Sequence, residues 1–512
     1  MRNTKISIVT LLIFAGMLSF PRLSSIAVMR NSQNQAQRIG LGEHMERELK
    51  GGEVHQYQVE MEAGQFLQAI VDQRGIDVMV LVFAPEGQKL FEVDSPNWDN
   101  GPEPVYLLAE APGPYRLEIR SLEPAAPAGK YEIRIEALRA PEEKDLSLIQ
   151  AFRLSAEAGA LRQKGDGASV SQAIEKYEQA LPLWRMAENK RKEAETLSNL
   201  GYLYYNYLGD SLKAREYHEQ EAPLQHELGD ERSEASAWNN LGYAYGGLGE
   251  WSKAEESVIK SLQLHRIAGR QRNIGVELDT LGMIYRHQGK WEQAIDHCQQ
   301  ALAIFREIKN GHDISVVLGA LGAIYGDLGD YSRALDYSGQ ALEAARSAND
   351  ELQMMVESKD VAERYYYLQE YEKAVEFNTQ AVDLARKWRN HRMEGDILTS
   401  LGNLYKKLGD DQKAREAYEK ALPIAQSTAN PQSESVIRMN LGLIIYLSGD
   451  KQKGKAMVET ALSLDRAAQD RRDEISALND LALVERYDGN FKQARAYVEE
   501  AIGLAESLRI NV

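Results

Sequence analysis

One spacing constrains this chain more than any other property. Glycines stand at Gly209, Gly249, Gly289, Gly329, Gly409, Gly449 and Gly489, separated by 40 residues or a multiple of 40, with Gln369 in the remaining slot. Five residues after each slot comes a small residue: Ala214, Ala254, Ala294, Ala334, Ala374, Ala414, Gly454 and Ala494. A degenerate earlier copy has Ala173. Repetition at this period marks a stacked array. A single unit cannot bury its own apolar face and needs a neighbour to cover it.

In "WNNLGYAYGGLGEW", Trp238, Leu241, Tyr245 and Leu248 are three or four residues apart and form one helical stripe. Gly242 lies beside the stripe and lets a second helix approach. That helix starts at about Ser252 and offers the small residues Ala254 and Ser261. Gly249 ends the first helix, because glycine takes the left-handed backbone without a Cβ clash. The unit is therefore an antiparallel helical hairpin, and the pattern runs as nine hairpins over residues 146–505, the first of them degenerate. One residue is inserted in "LGYLYYNYLGD" (200–210). The hairpin at 353–385 departs most, with Val361–Ala362 in place of Leu–Gly and "RYYYLQE" at its turn. Drift, altered curvature or a binding feature would each account for that departure.

These residues resemble the tetratricopeptide repeat: W-x2-L-G-x2-Y, then Ala, then a large residue, then Ala. The resemblance covers about 70% of the chain. The usual unit of about 34 residues is lengthened to 40, as in repeats of the kinesin-light-chain type and in many bacterial regulators. It implies a mainly α fold, a right-handed α-solenoid.

Residues 36–139 follow a different period. "YRLEIR" (115–120) and "YEIRIEA" (131–137) alternate apolar and polar, and "DVMVLVF" (77–83) reads as a strand buried on both faces. "KGG", "APEG", "APGP" and "APAG" supply turns between such runs. Seven or eight short strands of this kind predict a small all-β sandwich. The segment from "GGEVHQYQVEMEAG" onward resembles the prepeptidase C-terminal type of sandwich. More narrowly, it resembles the region preceding the repeats in bacterial CHAT-domain proteins, where a caspase-like protease with a His/Cys dyad follows the array. Only "GLAESLRINV" follows Ala501–Ile502 here, too short for a protease domain.

At the N-terminus, Arg2 and Lys5 precede an uncharged, mostly apolar run, Ile6 to Phe20, then Ser25 and Ala27 in a cleavage-like spacing. This is the layout of a secretory signal peptide. As a helix the run would span only about 22 Å, against roughly 30 Å of bilayer hydrocarbon. The expected organisation is a signal peptide at 1–27, a linker at 28–35, the sandwich at 36–139, a linker at 140–145, the array at 146–505 and a tail at 506–512. The expected location is periplasmic or extracellular, with no stable membrane insertion after cleavage; an uncleaved membrane anchor is the alternative.

Candidate chemistry is sparse. "AIDHCQQAL" places Asp296, His297 and Cys298 in a row, and Cys298 is the only cysteine. The repeat register gives the same slot to His218, Val258, Ser338, Asn378, Tyr418, Val458 and Val498, so it is a packing slot. Adjacent residues on a helix point about 100° apart, which keeps His297 from facing Cys298. No histidine spacing suits a metal, and no nucleophile elbow or phosphate loop appears. "EVDSPNWDN" (92–100) lacks a ladder of calcium ligands and reads as a solvated loop. The net charge of −17 disfavours unspecific nucleic-acid binding. No catalytic residue, cofactor or metal is expected.

In arrays of this kind the first helices line the inner face. The spacing around each Leu–Gly pair nominates Asn199, Asn240, Tyr243, Arg286, Lys359, Tyr366, Asn403, Lys406, Asn440, Asn479 and Arg486 as groove residues. Asparagine both donates to and accepts from a peptide backbone. The resemblance implies recognition of a protein or an extended peptide, by a scaffold without catalysis. A separately encoded caspase-like protease is the second candidate partner. The cations suggest a weakly cationic groove suited to an acidic segment.

Overall fold

The β region holds nine strands among the described residues, which in this computed structural model are 36–94, 100–428 and 430–510. The signal-peptide reading and the tip of the acidic loop fall outside them. The strands are β1 (Gln37–Arg38), β2 (His44–Leu49), β3 (Val54–Met61), β4 (Phe66–Arg74), β5 (Val78–Phe83), β6 (Lys89–Val93), β7 (Asn100–Leu108), β8 (Gly113–Ser121) and β9 (Gly129–Arg139). They form two sheets, in the orders β1-β3-β8-β5-β6 and β2-β9-β4-β7.

Alternation builds the core between the sheets. Tyr57, Val59, Leu117 and Ile119 of one sheet meet Val71, Val105, Ile133 and Ile135 of the other, all buried. β5 lies between β8 and β6, so its apolar run is covered. The buried Tyr131 hydroxyl is satisfied by Tyr57 Oη and His55 Nδ1, each at 2.7 Å, which ties the sheets together by a polar contact.

Eighteen helices follow: α1 (Glu143–Lys164), α2 (Gly167–Met186), α3 (Lys190–Asn206), α4 (Ser211–Glu227), α5 (Glu231–Gly247), α6 (Trp251–Ile267), α7 (Gln271–His287), α8 (Trp291–Glu307) and α9 (Gly311–Asp327). The second nine are α10 (Tyr331–Ser347), α11 (Glu351–Tyr367), α12 (Tyr371–Lys387), α13 (His391–Lys407), α14 (Asp411–Ser427), α15 (Pro431–Leu447), α16 (Lys451–Ala468), α17 (Arg471–Tyr487) and α18 (Phe491–Ile510).

The chain divides into two compact units. The first takes the described residues through Ala160 together with Gln179–Asn189. Its second apolar cluster joins Phe66 and Tyr106 to Leu148, Ala151 and Leu154 of α1 and to Trp184 of α2. Trp184 Nε1 donates to Ser155 Oγ at 3.0 Å, and Arg139 holds Asp145 at the start of α1. The polar stretch at 139–145 is therefore followed by helix that packs on the sandwich.

The second unit holds the rest. Its turns follow the glycine spacing: Gly209, Gly249, Gly289, Gly329, Gly409, Gly449 and Gly489 all have positive φ, and Gln369 adopts φ 62 in the same slot. The residue inserted near 200 lies in the α3–α4 turn, since α3 and α4 are 17-residue helices like their successors. The exit turns, apart from the one ending in Arg270, end in Asp or Asn caps. Asp230 accepts from Ser233 N at 3.1 Å, and Asp350 from Gln353 N at 3.0 Å. Each such cap contributes about 1 kcal/mol. No helix among the described residues is long and apolar enough to cross a membrane.

Candidate functional site

The face that could hold a ligand is built by the first helix of each hairpin. α7 packs on α9, α9 on α11, and α15 on α17, so alternate helices approach along one side of the array. Side chains tie this face together, one repeat to the next. Arg272 holds Asp313 through Nε at 2.7 Å and Nη2 at 3.1 Å. Tyr243 Oη lies 3.1 Å from Thr280 Oγ1, and Tyr446 Oη donates to Val484 O at 3.1 Å.

Several nominated groove residues already have partners, some within their own hairpin and some in the next repeat. Asn199 Nδ2 donates to Glu195 O at 2.9 Å, and its Oδ1 accepts from Arg162. Asn440 is used alike, donating to Val436 O at 3.0 Å and accepting from Lys406 Nζ at 2.5 Å. Asn403 Oδ1 accepts from Tyr418 Oη at 2.6 Å. Arg286 Nε donates to Asp327 Oδ2 at 2.6 Å, and Lys359 lies 3.7 Å from Asp360. Tyr366 packs against the rings of Tyr367 and Tyr371. The side chains of Asn240, Asn479 and Arg486 make no hydrogen bond or ion pair among the described contacts, and Tyr243 is exposed.

Two features differ from the sequence expectation. Tyr202 holds the same slot as Tyr243 and is 44% exposed, yet it is absent from the nominated set. The pair Leu200–Gly201 before it was the signal. The expected cationic character does not hold. Arg286, Lys359 and Lys406 share their face with Asp279, Asp327, Asp360 and Asp480, and most are paired. Burial depresses the Lys406 ammonium and pushes Asp480 up to about 6, so the face is close to charge-balanced.

The model of the tetratricopeptide repeat family matches residues 276–347, 353–427 and 433–507. The hairpins within these three segments match the tetratricopeptide repeat.

Solved structures similar to the chain include the apo form of RapI, at 17% identity and TM-score 0.44, over 54% of this chain and 99% of that one. The apo quorum sensor NprR from B. thuringiensis is similar at 17% identity and TM-score 0.46, over 65% and 97%. A signal-transduction ATPase with a tetratricopeptide repeat sensor, from Pyrococcus horikoshii, is similar at 18% identity and TM-score 0.43, over 65% and 55%. No curated protein matches the sequence.

Within the tetratricopeptide register Cys298 is fully buried. A Cβ on Gly282 would come 2.4 Å from its Sγ, so the thiol fills the space that glycine leaves. Sγ donates to Asp279 Oδ1 at 3.8 Å. Burial first, then the neighbouring Asp279, push the thiol above its usual range, the reverse of what a nucleophile needs. His297 turns away, its Nδ1 2.8 Å from Gln293 O and its ring against Tyr285. Cys298→Ala is expected to cost about 1 kcal/mol, and a thiol reagent to label Cys298 only as the array unfolds. Urea titration with timed labelling checks both.

A second polar group sits between α6 and α7. Ser261 Oγ donates to Glu277 Oε1 at 2.8 Å, and His265 Nε2 lies 3.7 Å from the same oxygen. All three are at most 1% exposed, so no substrate reaches them. No group of three His, Cys, Asp or Glu in metal-binding geometry occurs among the described residues.

Proposed function

We propose that this protein is a non-catalytic scaffold that holds an extended polypeptide segment along the face of its first tetratricopeptide helices. The observation that carries this reading is a strip of amides and aromatics on that face: Asn240, without a partner among the described residues, with Tyr202 and Tyr243 exposed beside it. Amides take both directions of a peptide bond, and tyrosines supply apolar contact at low entropic cost. Of the other nominated residues, Asn199, Arg286, Lys406 and Asn440 are bonded across repeats and hold neighbouring hairpins in register.

A peptide selected from a random library on this chain is expected to bind in the micromolar range. Asn240→Ala with Tyr243→Ala should weaken it at least ~10-fold, about 1.4 kcal/mol. Substitution of the exposed Gln300 on α8 should leave it unchanged. Equal binding to all three forms would refute the reading. Because most charges of the face are already paired with one another, raising the salt should change affinity little.

Export by a cleaved N-terminal signal belongs to the same proposal; the intact mass of the exported chain tests it. The order of sandwich and then repeats, which resembles CHAT-domain proteins, motivates a second reading as accessory to a separate caspase-like protease. A neighbouring reading frame encoding such a domain would support it.

A further inference from the structure

The repeat register also defines which residues of each second helix the next hairpin covers. The slot of Cys298 is buried in every earlier hairpin of the second unit: His218, Val258, Ser338, Asn378, Tyr418 and Val458 are at most 1% exposed. The slot four residues on holds Leu262, Leu302, Leu342, Val382 and Leu462, at 3–6%. In α18 the same slots hold Val498 and Ile502, and these are 40% and 52% exposed. The first residue of two second helices is covered in the same way. Trp251 stacks on His287 of the following hairpin at 4.3 Å, and Tyr331 on Tyr367 at 4.7 Å, whereas Phe491 is 69% exposed. Phe491, Val498 and Ile502 share one helical stripe, spaced seven and four apart. Among the described residues nothing covers it.

The charges beside the stripe are arranged by sign. Lys492, Arg495, Glu499 and Glu506 fall on one flank, with both cations in the N-terminal half and both carboxylates in the C-terminal half. Arg495 already reaches Glu499 at 2.7 Å across open solvent. A helix with that pattern is complementary to itself when reversed. A two-fold axis near Val498 brings the same flank of two antiparallel copies together, cations against carboxylates, as flanking charges do in coiled coils.

We propose that α18 is a homodimer surface, on which a second copy of this chain packs its own α18 antiparallel, in the place a further first helix would take. The three apolar side chains expose roughly 300 Å² per copy, less than half of the ~800 Å² that each partner gives to a standard interface. The dimer is accordingly weak, with a dissociation constant on the order of micromolar.

Light scattering coupled to gel filtration tests this on the full chain. At tens of micromolar the wild type is expected near twice the monomer mass of 57.5 kDa, falling to the monomer on dilution. Val498→Glu with Ile502→Glu should be monomeric with an unchanged far-ultraviolet spectrum. Two surface variants separate specific pairing from stickiness and spare the apolar stripe. Lys492→Glu with Arg495→Glu, and Glu499→Lys with Glu506→Lys, should each be monomeric alone, and an equimolar mixture should recover the dimer. A monomeric wild type at about 100 μM overturns the proposal, as does a dimer that survives Val498→Glu with Ile502→Glu. A mixture that stays monomeric while the wild type dimerises rules out the antiparallel arrangement.

Discussion

Gly454→Leu is expected to unfold the end of the array, from α15 onward, while the preceding hairpins remain folded. Gly454 occupies the slot that is alanine in all seven other hairpins of the second unit. A Cβ there would lie 2.5 Å from Gly442 O and 2.5 Å from Tyr446 N. Both are backbone atoms, so no side chain can rotate away. Gly442 mirrors it, with its own Cβ position 2.8 Å from Gly454 O. The two helices cross at a glycine pair, closer than an alanine allows. Helix propensity alone favours alanine over glycine by about 1 kcal/mol. Overpacking costs about 1–3 kcal/mol. Gly454→Ala should therefore be a net loss of up to about 2 kcal/mol, and leucine should lose more than about 3 kcal/mol. Hydrogen exchange by segment distinguishes the outcomes: protection should vanish over 431–510 and persist over 271–387. Full protection in Gly454→Leu would show that the helices can separate at little cost.

The second large effect is on stability against pH. Burial raises Glu277 and Glu357 from 4.5 to about 8, and Asp279 from 3.8 to about 7. Among the described residues Glu277 is held only by Ser261 and the nearby His265, and Glu357 by Gln353 Nε2 at 2.6 Å. A carboxyl with a raised folded value binds its proton more tightly in the folded state. It costs nothing below its unfolded value, an increasing amount as pH rises through the window from about 4.5 to 8, and a constant amount above that. Each such group is worth on the order of 3–5 kcal/mol across its window. On the acid side the trend reverses. The ion-paired Glu474 and Asp145 have lowered values, and buried His265 resists its proton, so their contributions fade as pH drops. Stability should peak in weakly acidic solution and fall steadily toward pH 9. Glu277→Gln with Glu357→Gln should flatten the alkaline limb by several kcal/mol in denaturant titrations at pH 6 and pH 9. An unchanged slope would mean that these carboxyls ionise without cost.

The sequence disclosed the array because its constraint is local and recurs. A turn needing positive φ and a crossing needing a small residue each leave a fixed letter every 40 residues. The same register correctly read Cys298 as a packing residue, since the slot shows its tolerance for Val, Ser and Tyr. Strand count was less legible, because β1 is two residues long and carries no period. The groove was the least legible part. Helical spacing tells which residues face inward, but not which are already bonded to the next repeat. Asn199 and Asn240 stand in equivalent slots, yet Asn199 is bound by Arg162, which lies 37 residues away in sequence. Likewise, Glu357 takes a core slot only because Gly319, on the preceding first helix, leaves room for its carboxylate. Those pairings are decided between helices, where a single-sequence period carries no information.

The scaffold reading is tested most directly by hydroxyl-radical footprinting of the chain with and without a selected peptide. It predicts protection at Tyr202, Tyr243 and Met283 on the first helices, with Trp388, exposed at the end of α12, reacting as before. Protection at Trp388, or within the sandwich, with Tyr202 and Tyr243 unchanged, would contradict it.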